Sequence, residues 1–254
     1  MDYCTYGGLP LILSRKTDEL KSKYLIDLCR ELYLKDIEER HRLRGDNCMA
    51  ALVNILASAV GSLTNPTKLA NTFGSNGMNV SDKTIGVYIG YLLEAFIISK
   101  AERYDIKGKR YIASPFKYYF TDVGLRNAQL NFRQQEENHI MENIIYNELL
   151  IRGFNVDVGV VEHSERDENG KVVRKRLEVD FVCNRGNQRY YIQSAFAIPD
   201  SSKMQQEQKS LVHIGDSFKK IIVVKDRIKL WRNEEAIVVM GIMDFLLKPN
   251  SLEL

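Results

Sequence analysis

Glu142, Asp180 in Glu178-Val-Asp180-Phe-Val, and Gln193 in Tyr191-Ile-Gln193-Ser-Ala195 carry oxygen acceptors that a fold could gather. A hairpin between the last two segments would set Asp180 and Gln193 together at one end of a sheet. Hydrolysis at such a place needs a group that orients water and a cation that takes up negative charge. Lys203 and Lys209, downstream, are the lysines that could serve. A different chemistry is offered by Lys107-Gly108-Lys109-Arg110, where three cations crowd a turn suited to phosphates or a minor groove. Lys171, Arg174, Lys175 and Arg176 form a second basic group, interleaved with Glu165, Asp167 and Glu168, and read as a solvated hairpin.

Other chemistries are excluded by spacing. Gly77-Met-Asn-Val-Ser-Asp-Lys83-Thr84 has the length of a phosphate-binding loop, but Asp82 stands where the second glycine must turn backbone N–H groups inward. It reads as a loop and helix cap. Cys4, Cys29, Cys48 and Cys183 form no CxxC pair, and His41, His139, His163 and His213 show no ligand spacing, so no metal is assigned. Scattered cysteines and the absence of a signal peptide point to the cytoplasm. No apolar run reaches the roughly 20 residues of a membrane span. The net charge is only +3, so affinity for nucleic acid must come from local patches.

Periodicity supplies the elements that would position these groups. Thr17 caps a helix running to about Arg42. Helices follow over 48–60, over 67–73 after Asn65-Pro66, and from Ser81, where Ile85, Tyr88, Ile89, Leu92, Leu93 and Phe96 make an apolar stripe. A hairpin over 98–113 turns at Gly108, and Pro115 with Phe116 to Phe120 closes the segment. Three helices and a hairpin give the order of a winged-helix domain, with the hairpin as its wing. The helix from Ser81 lacks the Arg, Asn or Gln of a base-reading helix, so backbone binding stands open beside no DNA binding at all. The polar stretch 127–138 marks a boundary between domains 1–128 and 129–254. Beyond it come a helix over 139–152, strands over 154–162, 176–183 and 189–197, a helix over 202–215 and a strand over 220–225, with Asn169-Gly170 as a turn signal. The class is α/β (α+β), with α-β-β-β-α-β order in the second half.

That order, with its helix Glu, strand Asp and strand Gln, resembles the PD-(D/E)xK nuclease core, whose three side chains hold Mg²⁺. The resemblance fails at the lysine two residues past the strand acid, where this sequence has Ala195. Six blocks also recur in order: Tyr6-Gly-Gly-Leu-Pro10, Leu34-Lys-Asp-Ile37, the winged-helix stretch, Tyr119-Phe-Thr-Asp122-Val-Gly-Leu125, His139-Ile-Met-Glu142-Asn, and the Asp180 and Gln193 strands. Together they resemble the C-terminal half of a prokaryotic AAA-type ATPase family, in which an ATPase module comes first, then a winged helix, then a nuclease-like domain of unknown function. The ATPase module is absent from this sequence. The resemblance implies a fold and a partner; with the missing lysine and the basic hairpin tip, the residues read as a non-catalytic DNA-binding or regulatory module, with Glu142, Asp180 and Gln193 as a vestigial nuclease site and Lys107, Lys109 and Arg110 on DNA. It implies no cofactor, Mg²⁺ entering only if the site is active. The partners it implies are DNA, an ATPase module or a second copy, and no membrane. Two alternatives stand beside it. One is a metal-dependent nuclease with a displaced lysine. The other is an interaction scaffold using Tyr88, Tyr91, Phe116, Tyr118 and Tyr119.

Overall fold

The computed structural model describes residues 2–43, 47–133, 136–166 and 170–254. Asn169 of the turn signal, Asp167 and Glu168 beside it, and Gln134 and Gln135 of the polar stretch lie outside the described residues. The chain divides into two compact units, Met1–Lys100 with Pro115–Ile144, and Ala101–Ser114 with Ile145–Leu254. Among the described residues no helix is long and apolar enough to cross a membrane.

The first unit opens with α1 (Asp2–Tyr6) and a 3-10 turn over Pro10–Ser14. Thr17 caps α2 (Asp18–Asp27), its Oγ1 accepting the Leu20 N–H at 3.3 Å. The helix expected to run on to Arg42 instead passes through a π-helical stretch, Leu28–Leu34, into α3 (Lys35–Arg40). Cys29 in that stretch donates its S–H to Gln129 Oε1 at 3.3 Å, and burial pushes its thiol up to about 11. Then come α4 (Cys48–Ser58), α5 (Pro66–Ser75) and α6 (Asp82–Glu94). Asn65 and Ser81 cap the last two, accepting from Lys68 N and Thr84 N. Ile85, Tyr88, Ile89 and Leu92 are the buried stripe of α6.

Strands β1 (Ile98–Asp105) and β2 (Arg110–Phe120) follow. β2 runs straight through Pro115, where the sequence suggests a stop. An edge strand tolerates a missing N–H, and β2 ends the sheet. Next are α7 (Val123–Gln129) and α8 (Glu137–Ile151). Asp122 caps α7 through Leu125 N at 3.1 Å and also accepts the Gly8 N–H at 2.8 Å. Gly7 sits at φ +72°, and a Cβ there would fall 2.1 Å from Asp122 Oδ1, while one on Gly124 would fall 2.2 Å from the Tyr6 carbonyl oxygen. Two of the recurring sequence blocks are thus the halves of one clamp. Asn127 and Gln129, read as part of the polar boundary stretch, are buried. Asn127 Nδ2 donates to the Cys4 and Thr5 carbonyls at 2.9 Å each, so its polarity serves buried backbone rather than water.

The second unit contains β3 (Asn155–Arg166), β4 (Val172–Arg185), β5 (Gln188–Ala195), α9 (Ser201–Val212), β6 (Lys219–Val224), β7 (Trp231–Arg232), β8 (Val238–Gly241) and α10 (Ile242–Leu247). Among the described residues the sheet has eight strands in the order β2-β1-β3-β4-β5-β6-β8-β7. The run α8-β3-β4-β5-α9-β6 is the α-β-β-β-α-β order read from the sequence. β3, β4 and β5 are antiparallel neighbours, whereas β5, β6 and β8 are parallel, and α9 supplies the crossover that a parallel β5–β6 pair requires. Leu211 of α9 and Ile214 just beyond it pack on Val179, Val182, Tyr191, Ala195 and Ile222 of the sheet. β1 runs parallel to β3, with Arg103 opposite Val158 and Asp105 opposite Val160. The hairpin read as a wing of the first domain therefore extends the second unit's sheet.

Candidate functional site

The strands that carry Asp180 and Gln193 separate where these residues sit. The β4–β5 ladder runs from Arg185–Gln188 to Phe181–Ile192, while β5 stays paired to β6 through Gln193, Ser194 and Ala195. Along the other side of β4, the two steps from Asp157 to Gly159 match three from Val182 back to Val179. One extra residue is therefore accommodated at Asp180–Phe181, a bulge of the kind that re-aims side chains. Gly159 allows it, since a Cβ there would lie 2.8 Å from Val182 and 2.9 Å from Val179. Side chains take over the ladder's work. The Asp180 N–H donates to Gln193 Oε1 at 3.4 Å, and the Ser194 N–H donates to Asp180 Oδ2 at 2.8 Å. Ser210 Oγ, on α9, donates to Gln193 Oε1 at 3.5 Å. Asp180 and Gln193 meet as the sequence suggests, and each accepts a backbone N–H from the other's strand.

Glu142 belongs to the first unit, where its partners are Lys117 and Tyr119. Lys117 Nζ lies 2.9 Å from Glu142 Oε1, and the Tyr119 O–H donates to the same oxygen at 2.6 Å. The Lys117 and Glu142 side chains are only 5% and 12% exposed, so this is a buried ion pair with a phenol attached. Asn143, the next residue, bonds both the N–H and the carbonyl of Phe120 at 2.9 and 2.7 Å. Together these bonds fasten α8 to β2.

The two lysines read as possible stand-ins for the missing one are both paired with carboxylates. Ala195 is buried among Leu211, Ile222 and Val224, so hydrocarbon fills its surroundings. Lys203 pairs with Glu207 at 2.6 Å and Lys209 with Glu165 at 3.5 Å. Mg²⁺ requires several hard oxygen donors, preferably carboxylates. Asp180 and Gln193 do not fit that need, being one carboxylate and one neutral amide, each already accepting a backbone N–H. Among the described residues no group of three or more His, Cys, Asp or Glu side chains is arranged to hold a metal ion. Of the aromatic residues in the scaffold alternative, Tyr88, Tyr118 and Tyr119 are core residues. The phosphate-loop near miss is the α5–α6 connection, with the Ser81 cap at its end.

The two basic groups, far apart in sequence, are neighbours in the second unit. The β1–β2 turn lies beside β3, since the Ile106 N–H donates to the Val160 carbonyl and Lys107 Nζ donates to the Glu162 carbonyl, both at 3.0 Å. Across the β3–β4 arm Glu162 faces Arg176, His163 faces Lys175 and Ser164 faces Arg174. Lys107, Lys109, Arg110, Arg174, Lys175 and Arg176 are all exposed. Acids temper the patch: Arg110 Nε lies 3.6 Å from Asp105 and Arg176 Nε 3.2 Å from Glu162. Spacing gave no hint of one further pair, His163 and His213, whose ring centroids lie 3.8 Å apart.

A relative in Haemophilus influenzae, described as an uncharacterized protein, is 32% identical over 249 residues, which is 97% of this chain and 57% of that one. An uncharacterized protein of Methanocaldococcus jannaschii is 27% identical over 202 residues, 80% of this chain and 43% of that one. The chain spans about half the length of the curated relatives it matches. The crystal structure of protein VC1899 from Vibrio cholerae aligns with 90% of this chain and 56% of its own at 13% identity, with a TM-score of 0.32. Residues 1–136, which include the Gly7–Asp122 clamp, match a family described as a domain of unknown function, DUF8612, and the chain belongs to that family.

Proposed function

We propose that this chain is a non-catalytic module that binds the phosphate backbone of duplex DNA on a nuclease-like core. The observation that carries this reading is the adjacency of the basic β1–β2 turn to the basic stretch of β4, with Lys107 bonded to the strand that pairs with Arg174, Lys175 and Arg176. Two strand spacings make a patch about 10 Å wide, enough to meet several phosphates of a duplex that carries one charge per about 1.7 Å. The intervening Asp105, Glu162 and Glu165 make such binding weaker than that of a fully basic face. The apolar surroundings of Ala195 and the paired states of Lys203 and Lys209 support a module without hydrolytic activity. The six recurring blocks support a place beside an AAA-type ATPase module, for which this half would serve as the tether.

The test is fluorescence anisotropy with a labelled duplex of about 20 base pairs, alongside plasmid incubation with Mg²⁺ or Mn²⁺. Affinity should fall steeply with salt for every sequence, Lys107→Ala with Arg110→Ala should weaken it uniformly, and the plasmid should stay intact. Binding indifferent to salt and to both substitutions would remove the proposal. So would plasmid cleavage abolished by Asp180→Asn.

A further inference from the structure

Beside the two basic groups, side chains from four elements of the second unit gather on one spot. β3 contributes His163 and Glu165, β4 contributes Lys175, α9 and its C-cap contribute Lys209 and His213, and the β1–β2 turn contributes Lys107. Glu165 is the hub. Lys175 pairs with its Oε1, while Lys209 Nζ and His163 Nε2 lie 3.5 and 3.9 Å from its Oε2. The His213 ring sits against that of His163. The Lys209 carbonyl, 2.7 Å from His213 Nδ1, can only accept, so that nitrogen carries the hydrogen and Nε2 is left to pick up a proton. A carboxylate that collects two ammonium groups and an imidazole makes the contacts a phosphate oxygen would make in its place.

We propose that His163, His213, Lys175 and Lys209 form a seat for one backbone phosphate, that Glu165 fills this seat as an internal anion when no phosphate is bound, and that exchanging the two draws a proton onto the imidazole pair. The proposal rests on the duplex-binding reading above and deepens it by naming what regulates that surface. Charge around the pair supports it. Burial, and then the neighbouring His213, hold His163 below the usual imidazole range; Lys209 and Lys107 push the same way, and Glu165 alone opposes them. The hydrogen bond from Lys175 holds Glu165 below the usual carboxylate range, so it remains a competing anion at neutral pH. Glu165, tethered on β3, stays near the rings after it yields the seat, so a bound phosphate adds one negative charge to the site rather than replacing one. The bound state therefore holds more protons than the free one, and affinity rises as pH falls.

Two measurements test this together. Duplex affinity is followed by anisotropy from about pH 8 to about pH 5.5, and the imidazole C–H resonances of His163 and His213 are titrated by NMR with and without inorganic pyrophosphate. Affinity should rise with acidification, by at most about tenfold per pH unit for each proton taken up. Glu165→Gln should bind the duplex severalfold more tightly at neutral pH, and His163→Gln with His213→Gln should flatten the pH profile while leaving the salt dependence. Pyrophosphate should move the His163 titration upward and perturb the His213 resonances. Salt-sensitive duplex binding with a flat profile would overturn the seat and leave the DNA reading standing, as would parallel profiles for the wild type and the double histidine variant. No duplex binding, but imidazoles that respond to pyrophosphate, would overturn the DNA reading and leave the seat. Silence in both measurements would overturn both.

Discussion

Glu142 gives the sharpest quantitative test, because a vestigial metal ligand and a structural ion pair respond oppositely to its removal. In Glu142→Ala the Lys117 ammonium, 5% exposed, loses the carboxylate 2.9 Å away, and Tyr119 loses its 2.6 Å acceptor. Removing one member of a buried pair costs about 3–5 kcal/mol, and a lost buried hydrogen bond adds about 1 kcal/mol. We therefore expect Glu142→Ala to lose about 4 kcal/mol or more. With a urea slope of about 2 kcal/mol/M, the unfolding midpoint should drop by about 2 M, read by far-UV circular dichroism. Glu142→Gln, which keeps an acceptor oxygen for Tyr119, should lose about half as much. Lys117→Met with Glu142→Leu should recover most of the loss, since a buried ion pair replaced by apolar groups of similar size is near neutral. A midpoint that barely moves in Glu142→Ala, or a double variant no better than the single one, would refute the structural role.

The clamp and the apolar cluster yield three further expectations. Asp122→Ala takes acceptors from the Gly8 and Leu125 N–H groups and should cost about 2–4 kcal/mol by denaturant unfolding; an unchanged midpoint would show that the clamp contributes nothing. Burial, acting first, raises the Asp122 carboxyl above its ordinary value despite three backbone N–H bonds. Its contribution to stability is therefore complete below about pH 4 and lost as pH rises through the raised folded value, and Asp122→Asn should lack that loss when the two stability profiles are subtracted. Ala195→Lys would push an ammonium among Leu211, Ile222 and Val224; it should cost about 3 kcal/mol or more and confer no plasmid cleavage, and a stable, cleaving variant would contradict the packing described for that site.

The caps and the element order were legible because they are local. Thr17, Asn65 and Ser81 announce their helices, and each accepts the N–H that its position predicts. The Asp180–Gln193 meeting was also legible, since a short turn at Arg185–Gln188 fixes the register of β4 on β5. What stayed hidden depends on distant pairing. No periodicity reports that β1 runs parallel to β3, and on that pairing rests the adjacency of Lys107 to Arg176. His163 and His213 meet only because α9 returns across the sheet. Asn127 and Gln129 misled for another reason: composition cannot distinguish an amide facing water from one that satisfies a buried carbonyl. Glu142 looked like a ligand because Lys117 and Tyr119, on the next-but-one element, are invisible to motif spacing.

The slope of log affinity against log salt for the duplex tests the basic surface most directly, measured for the wild type and two triple variants. One variant is Lys107→Ala, Lys109→Ala and Arg110→Ala; the other is Arg174→Ala, Lys175→Ala and Arg176→Ala. If the β1–β2 turn and the basic stretch of β4 bind the same backbone, each variant should reduce the slope by about 2 to 3, near 0.9 for each phosphate no longer neutralised. A slope that one triple variant leaves untouched would contradict a shared phosphate-binding face.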